Sequence, residues 1–307
     1  MRDSSDSKGV MLVLATAVIS GASIFVNKFA VAEGNPFLFV FLKNLAVAVF
    51  LFSLIFLLTR LESLKSLSRR QWAQLAVIGL VGGSAPFLLY FYALKLTSAV
   101  NAGFIHKTMF LWAGALAFVV LGERLERKYV LGALLLLAGN FLLFSSVSAF
   151  SAADLLILAA VLLWSAELVI SRKALADLDG TVVAFGRMFF GSAFILAFLA
   201  ATGQLASVTS VSPAQWEWVA LSSVFLLGYV LTFYNGLKRL SVAKASAILL
   251  LGQPVTALLS VAFAGQGLST AQAAGFVLVA AGVAAVVGFS SVISLFAGGA
   301  GAFRRRV

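Results

Sequence analysis

The sequence has no cysteine and only one histidine, His106, among its 307 residues. Without cysteine, no disulfide framework and no thiolate-bound metal can form. A lone histidine cannot supply a histidine-based zinc site either. The sequence therefore predicts no metal site, no redox centre and no cofactor.

Catalytic motifs are also missing. The chain contains neither a zinc-binding H-E-x-x-H sequence nor a Gly-x-Ser-x-Gly nucleophile. An aspartyl enzyme of the membrane would need paired aspartates inside helices, but the aspartates lie in tails, loops or helix ends. We therefore expect no catalytic residues and no enzymatic activity.

Charged residues are scarce: 11% of the chain is charged, 62% is hydrophobic, and the mean hydropathy is +1.07. Soluble domains carry roughly 25% charged and 45–50% apolar residues, so this composition predicts a membrane protein in contact with lipid. The net charge of +11 would suggest nucleic acid in a soluble protein. In a membrane protein, lysine and arginine collect on the cytoplasmic side instead, and we expect no nucleic-acid partner.

Apolar runs of the length that crosses a bilayer, roughly 20 residues, recur along the chain. They number ten and cover approximately residues 9–32, 37–59, 73–95, 99–121, 128–147, 153–173, 181–202, 215–237, 243–263 and 270–290. If the amino terminus is cytoplasmic, most of the 22 basic residues fall in inner loops and tails, and the outer loops hold Lys95 alone. This bias predicts ten transmembrane helices in the plasma membrane with both termini cytoplasmic.

The two halves of the chain repeat each other. Gln71-Trp72 recurs 144 residues later as Gln215-Trp216, and Gly132 recurs 143 residues later as Gly275. Each half contains five helices, an odd number, so the second copy must enter the membrane from the opposite side. Inverted repeats of this kind are typical of alternating-access transporters.

Several short motifs carry a resemblance to a known family. They are Phe91 to Ala99, His106-Lys107-Thr108, Leu121 to Leu125, Trp164 with Arg172, Phe185-Gly186-Arg187, Gly236-Leu237-Lys238 and Gly252-Gln253-Pro254. In their order and spacing the chain resembles the EamA-type members of the drug/metabolite transporter superfamily. It departs from the pattern at Gly265-Gln266, where the first repeat has Gly122-Glu123.

This resemblance implies an all-α membrane protein of ten transmembrane helices in two inverted EamA-like repeats, 9–147 and 153–290, followed by a basic cytoplasmic tail, 291–307. It also implies an alternating-access exporter or exchanger of small metabolites, such as amino acids or other carboxylate-bearing compounds, or of drugs. An exchanger of organic anions or phosphorylated metabolites is the alternative within the superfamily. A channel or a non-transporting membrane scaffold is the alternative outside it.

Charged residues inside the predicted helices are the candidate substrate-binding groups, because a charge at the bilayer centre normally faces a cavity or a partner. Lys43 and Arg187 are repeat mates that could attract an anionic substrate from either side, or could extend to lipid headgroups. Lys107 lies about 12 Å into helix 4, too deep to reach the headgroups easily, so it could face a cavity or could pair with a carbonyl or with Glu167 and hold helices together. Glu167 could carry a coupling proton or pair with Arg187, and His106 could carry a proton or be a polar neighbour.

Aromatic residues and prolines complete the candidate site. The side chains of Tyr90, Tyr234, Trp112 and Trp164 could line a cavity or pack between helices. Pro86 and Pro254 are expected to kink helices 3 and 9, to expose carbonyl groups and to act as hinges. The expected partners are a small-molecule substrate and membrane lipid, with a coupling proton as a further candidate, and the protein is expected to act as a monomer or homodimer.

Overall fold

The computed structural model describes residues 2–30, 34–58, 61–94, 96–97, 99–124, 127–143, 150–206, 211–265 and 267–288, and its regular elements there are all helical. The basic tail at 291–307 lies outside these residues. The ten main helices are helix 1 (Arg2–Ala30), helix 2 (Pro36–Leu57), helix 3 (Arg69–Ile78, Gly79–Ser84 and Ala85–Leu94), helix 4 (Ala99–Lys107 and Met109–Leu121), helix 5 (Arg127–Leu143), helix 6 (Ala152–Ala174), helix 7 (Gly180–Ala201), helix 8 (Pro213–Leu237), helix 9 (Val242–Ile248, Leu249–Leu251 and Gly252–Ala264) and helix 10 (Thr270–Val287). A short helix, Leu61–Lys65, joins helix 2 to helix 3.

Nine of these helices, counted over the described residues, are long and apolar enough to cross a membrane. Helix 5 is the tenth, and its 17 described residues span about 26 Å at 1.5 Å per residue. The chain is therefore an all-α, multi-pass membrane protein, and the predicted fold class is confirmed.

Matching capping boxes begin helices 3 and 8. The Ser68 hydroxyl accepts a hydrogen bond from the Gln71 amide, while the Gln71 side chain accepts one from the Ser68 amide. Ser212 and Gln215 repeat this exchange at the start of helix 8. Each box satisfies amides that have no partner within the helix. The recurring Gln-Trp pair in the sequence thus marks the same helix start in each half.

Helices 5 and 10 pack together through glycines and show the inversion directly. A Cβ on Gly132 would lie 2.8 Å from the carbonyl oxygen of Gly282, and a Cβ on Gly139 would lie 2.8 Å from that of Gly275. Numbers rise along one helix as they fall along the other, so the helices are antiparallel. Gly132 and Gly275 are repeat mates, as are Gly139 and Gly282, so the symmetry of the repeat converts the first of these contacts into the second. One pseudo-two-fold axis therefore relates the halves, and small residues let the backbones approach.

The remaining helices form two equivalent groups that interlock the repeats. Helix 1 packs against helices 8 and 9, and its repeat mate, helix 6, packs against helices 3 and 4. Helices 2 and 7, also repeat mates, pack against each other and against both groups. Each group takes one helix from one repeat and two from the other, so a motion between the groups rearranges both repeats.

The two ends of the bundle each contain a hydrogen-bonded acidic residue, Glu123 at one end and Asp154 at the other, and are called the Glu123 end and the Asp154 end. At the Glu123 end, helix 4 ends and helix 9 begins, and the Glu123 carboxylate bonds to the Val242 amide. At the Asp154 end, helices 4 and 6 begin, and Asp154 bonds to the side chains of Thr97 and Asn101.

The bundle is closed at the Glu123 end. There the second half of helix 4, Met109–Leu121, packs closely along the first half of helix 9, Val242–Ile248. Pseudo-symmetry makes Ala99–Lys107 and Gly252–Ala264 the equivalent pair at the Asp154 end, and over their described residues these two pack far less closely. The conformation is therefore more open at the Asp154 end.

Helices 3, 4 and 9 are interrupted in their middle thirds. Helix 3 contains a π-helical segment, Gly79–Ser84, directly before Pro86. Helix 4 breaks at Thr108, and helix 9 passes through a 3₁₀ turn, Leu249–Leu251, before Pro254. A proline removes one backbone donor, and π segments often accompany functional sites. Both expected kinks are thus located at interruptions; whether they act as hinges stays a prediction.

Candidate substrate site

The Gly82 carbonyl in helix 3 is a meeting point for side chains at the centre of the molecule. Pro86 has no N–H to offer the carbonyl of Gly82, four residues earlier. Two side chains use that oxygen instead: Nε1 of Trp164 donates to it at 3.2 Å and Nη2 of Arg187 at 3.0 Å. The neighbouring carbonyl of Gly83 accepts from Nδ2 of Asn44 at 2.9 Å. The π segment therefore joins helices 2, 6 and 7 at one point.

Glycine is required at this junction because side chains from helices 6 and 7 fill the space. A Cβ on Gly82 would lie 2.9 Å from the carboxyl carbon of Glu167 and 3.1 Å from Nε of Arg187. These two residues therefore flank Gly82, one from each of two helices of the second repeat.

Arg187 and Lys43 are buried cations, with 6% and 4% of their surfaces exposed. Neither forms a salt bridge in the described part of the chain, and Nε of Arg187 has no hydrogen-bond partner there. Nζ of Lys43 lies 5.0 Å from the centre of the Phe39 ring, a cation–π contact that offsets only part of the cost of burial. Two positive charges are thus held inside the bundle without a carboxylate in contact.

Glu167 is buried, with 2% of its surface exposed, and its carboxylate is already bonded. Oε1 accepts from the Ser171 hydroxyl at 2.5 Å and from the Tyr234 hydroxyl at 2.6 Å. The predicted ion pair with Arg187 does not form, because Gly82 lies between the two side chains and the hydroxyls take the carboxylate. Glu167 and Arg187 can still influence each other through a short, poorly solvated gap.

Three aromatic rings meet beside this junction. The ring centres of Tyr90 and Trp164 lie 5.6 Å apart, and the His106 ring lies 5.6 Å from Tyr90 and 5.2 Å from Trp164. Trp164 connects this group of rings to the Gly82 junction, since its indole N–H donates to the Gly82 carbonyl. The predicted residues Tyr90, His106 and Trp164 therefore lie together, and Tyr234 lies at the Glu167 side of the junction.

Lys107 occupies the break in helix 4. It is the last residue of the first half-helix, where exposed carbonyls and the helix dipole favour a cation. Its side chain is half-buried and makes no salt bridge or hydrogen bond among the described residues. It follows His106 directly, and its charge is available to a ligand.

Trp112 is not brought to the other aromatic residues. Its indole N–H donates to the Thr108 hydroxyl one turn earlier at 3.2 Å, and 40% of its surface is exposed. Among the described residues its ring has no aromatic contact, so the structure gives it no place in the cluster.

This architecture matches a known family in both halves of the chain. The sequence matches the EamA-like transporter family over residues 7–145 and again over residues 151–288. The chain belongs to the EamA-like transporter family. The two matched ranges identify the chain as a membrane transporter of the drug/metabolite transporter superfamily.

Individual proteins similar to this EamA-like transporter support that assignment. The uncharacterized transporter YyaM of Bacillus subtilis (strain 168) is 27% identical over 284 residues, which cover 89% of this chain and 91% of YyaM. An uncharacterized transporter of Archaeoglobus fulgidus is 28% identical over 212 residues, or 66% of this chain and 71% of that protein. One crystal structure is similar with a TM-score of 0.72 at 22% identity, over 90% of this chain and 95% of that one, and supports the fold alone.

Some residues of the site in this EamA-like transporter were not predicted from the sequence. Asn44 follows Lys43 directly and bonds to the Gly83 carbonyl. Ser171 lies one helical turn after Glu167, a spacing that places both on one face and could have suggested their contact. The Gly82 carbonyl was foreseen only in general terms, as a consequence of Pro86.

Proposed function

We propose that this transporter carries small metabolites with a carboxylate or another anionic group by alternately opening the two ends of the bundle. The observation that carries the proposal is the imbalance of charge at the centre. Lys43 and Arg187 are buried inside the bundle and Lys107 lies at the break in helix 4, and none of the three forms a salt bridge among the described residues, whereas the carboxylate of Glu167 is bonded to two hydroxyls.

The energetic argument rests on what a buried charge costs. A lysine or arginine near the middle of a membrane helix costs about 2.5–3.5 kcal/mol or more unless something compensates it. A substrate anion bound by Lys107 and Arg187 would supply that compensation and would meet Nζ of Lys107 and Nε of Arg187, which have no hydrogen-bond partner among the described residues. An organic anion or a phosphorylated metabolite would satisfy the same groups and is the alternative substrate class.

The orientation of the bundle in the membrane follows from the surface charges. The described basic residues outside the helix centres cluster at the Glu123 end and include Arg69, Arg70, Arg124, Lys173 and Arg239. We therefore assign this end to the cytoplasm, which makes both termini cytoplasmic in the plasma membrane. The described conformation is then closed to the cytoplasm and more open to the outside.

Proton coupling would use Glu167, His106 or both. Glu167 is buried nearer the Glu123 end, so water would reach it when that end opens, whereas His106 is half-buried against Tyr90 and Trp164 nearer the Asp154 end. A proton carried by Glu167 would change the charge beside Arg187 and hence its attraction for an anion. Export is the proposed direction, as the resemblance implies, with exchange as its variant.

Ligand-induced stabilisation tests the substrate class. We expect amino acids, dicarboxylates such as malate, or phosphate esters such as glucose 6-phosphate to raise the melting temperature of the purified protein. A ligand at 100 times its Kd stabilises the folded state by about 2.7 kcal/mol, enough for a clear shift. The lipophilic cation tetraphenylphosphonium is the control and should have no effect. Stabilisation by the cation alone would contradict the anion proposal and point to drug transport.

A further inference from the structure

The Glu123 carboxylate joins the two repeats across the closed end of the bundle. Its Oε1 accepts from the Val242 amide at 2.8 Å and its Oε2 from the Ala243 amide at 3.3 Å. Glu123 follows helix 4, in the first repeat, and the two amides begin helix 9, in the second. These are amides of the first helical turn, which have no carbonyl partner inside the helix.

Local geometry fixes the carboxylate in this place. Gly122 has a φ of 66°, the left-handed conformation that ends helix 4, and the Glu123 amide turns back to the Ala117 carbonyl at 3.2 Å. The neighbouring Ser241 hydroxyl accepts a hydrogen bond from the Lys244 amide. The carboxylate and the serine together therefore bond to three amides of the first turn of helix 9. An anion at a helix start is favoured further by the helix dipole.

The two ends of the bundle differ at this position. In the sequence the repeat mate of Glu123 is Gln266 and the mate of Val242 is Ala99, so the second repeat has a neutral amide residue where the first has a carboxylate. Hydrogen bonds that involve an ionised group are roughly twice as strong as neutral ones. The Glu123 end is also the one that the structure shows closed.

We infer that Glu123 is a latch that keeps the Glu123 end closed and biases the transporter toward the conformation open at the Asp154 end. Opening the Glu123 end separates helix 4 from helix 9 and breaks both bonds to the carboxylate. Water then solvates Glu123 and the amides and offsets part of the free energy of the two broken hydrogen bonds, so the preference for the closed Glu123 end is moderate. This inference rests on the alternating opening proposed above and adds the residue that sets its balance.

Thiol accessibility in a chain without cysteine tests the latch. Ser246→Cys is nearly isosteric and places a reporter in the buried first half of helix 9. In purified protein in lipid nanodiscs, with both sides accessible, we expect Glu123→Ala to speed its reaction with a water-soluble maleimide about tenfold. Glu123→Gln, which keeps the shape but not the charge, should give a smaller increase.

Two controls separate latching from general loosening. Ser222→Cys is equally buried in the half of helix 8 nearer the Asp154 end, and Glu123→Ala should leave its labelling rate unchanged or lower it. Glu217→Ala removes an exposed acid at the Asp154 end and should change neither rate.

Two results in Glu123→Ala would overturn the latch, and the response to a ligand then shows whether the alternating opening fails with it. An unchanged rate at Ser246→Cys in Glu123→Ala would show that the carboxylate does not hold this end closed. Equal acceleration at Ser246→Cys and Ser222→Cys would show that Glu123 stabilises the whole fold instead. If malate or an amino acid shifts the two rates in opposite directions while Glu123→Ala leaves the Ser246→Cys rate unchanged, the latch fails and the alternating opening stands. If none of these changes any rate, both proposals fail.

Discussion

Replacing Lys107 with methionine is expected to lower the transport of an anionic substrate about 10- to 100-fold while the protein still folds and inserts. Methionine keeps an unbranched side chain of similar length but removes the charge. The loss corresponds to one hydrogen bond to a charged group, about 1.5–3 kcal/mol. Folding should survive because Lys107 forms no salt bridge or hydrogen bond among the described residues. The measurement is the initial rate of uptake into proteoliposomes, per amount of inserted protein.

Two further variants make the Lys107 result specific. Lys107→Arg keeps the charge with a different shape and should retain part of the activity. Lys173→Met removes an exposed cation in the last turn of helix 6, away from the junction, and should transport at the normal rate. A normal rate in Lys107→Met would mean that Lys107 does not contact the substrate. Failure of the variant to accumulate in the membrane would give Lys107 a structural role instead.

Replacing Glu167 with glutamine is expected to lower both stability and transport. The amide oxygen can still accept from Tyr234 and Ser171, so the shape of the junction is kept, but Arg187 loses the negative charge on the other side of Gly82. Removing one member of a buried charge pair typically costs about 3 kcal/mol or more, and these side chains are not in direct contact, so we expect a smaller loss. Thermal unfolding of the purified variant measures it.

A double variant separates the effects of charge and hydrogen bonding. In Glu167→Gln with Arg187→Met no buried charge is left unbalanced at Gly82, so stability should partly recover while transport stays low. Tyr234→Phe removes one hydrogen bond and keeps both charges, so it should destabilise less than Glu167→Gln. If the double variant is destabilised by the sum of the two single effects, Glu167 and Arg187 act independently and their proposed coupling is wrong.

The sequence predicted the architecture because membrane folding leaves few alternatives. Apolar length and the basic loops predict ten helices, and the 143-residue spacing of glycines marks the repeat that the contacts between helices 5 and 10 then display. The recurring Gln-Trp pair proved to mark capping boxes at Ser68 and Ser212. These features are local or strictly periodic, so they can be recognised without a structure.

The details of the site depend on contacts between distant parts of the chain. Glu123 bonds to an amide 119 residues away, and Tyr234 reaches a carboxylate 67 residues away, and no local pattern indicates either partner. Of the two roles expected for Glu167, a salt bridge with Arg187 is not present among the described residues, because the hydroxyls of Ser171 and Tyr234 bond to the carboxylate instead. The position of Trp112 could not be predicted either, since an aromatic residue in a membrane helix can face the interior of the bundle or the lipid.

The most direct test of the alternating opening compares the repeat mates Tyr90 and Tyr234 as single cysteines. Tyr90 is half-buried and Tyr234 is fully buried, so Tyr90→Cys should react faster with a water-soluble maleimide. An amino acid, malate or glucose 6-phosphate that raises the melting temperature should change the two rates in opposite directions. Leu135→Cys and Leu278→Cys, in helices 5 and 10, should not respond. If the rates at Tyr90→Cys and Tyr234→Cys change together, or equal those of the two controls, the two ends do not open alternately around this site.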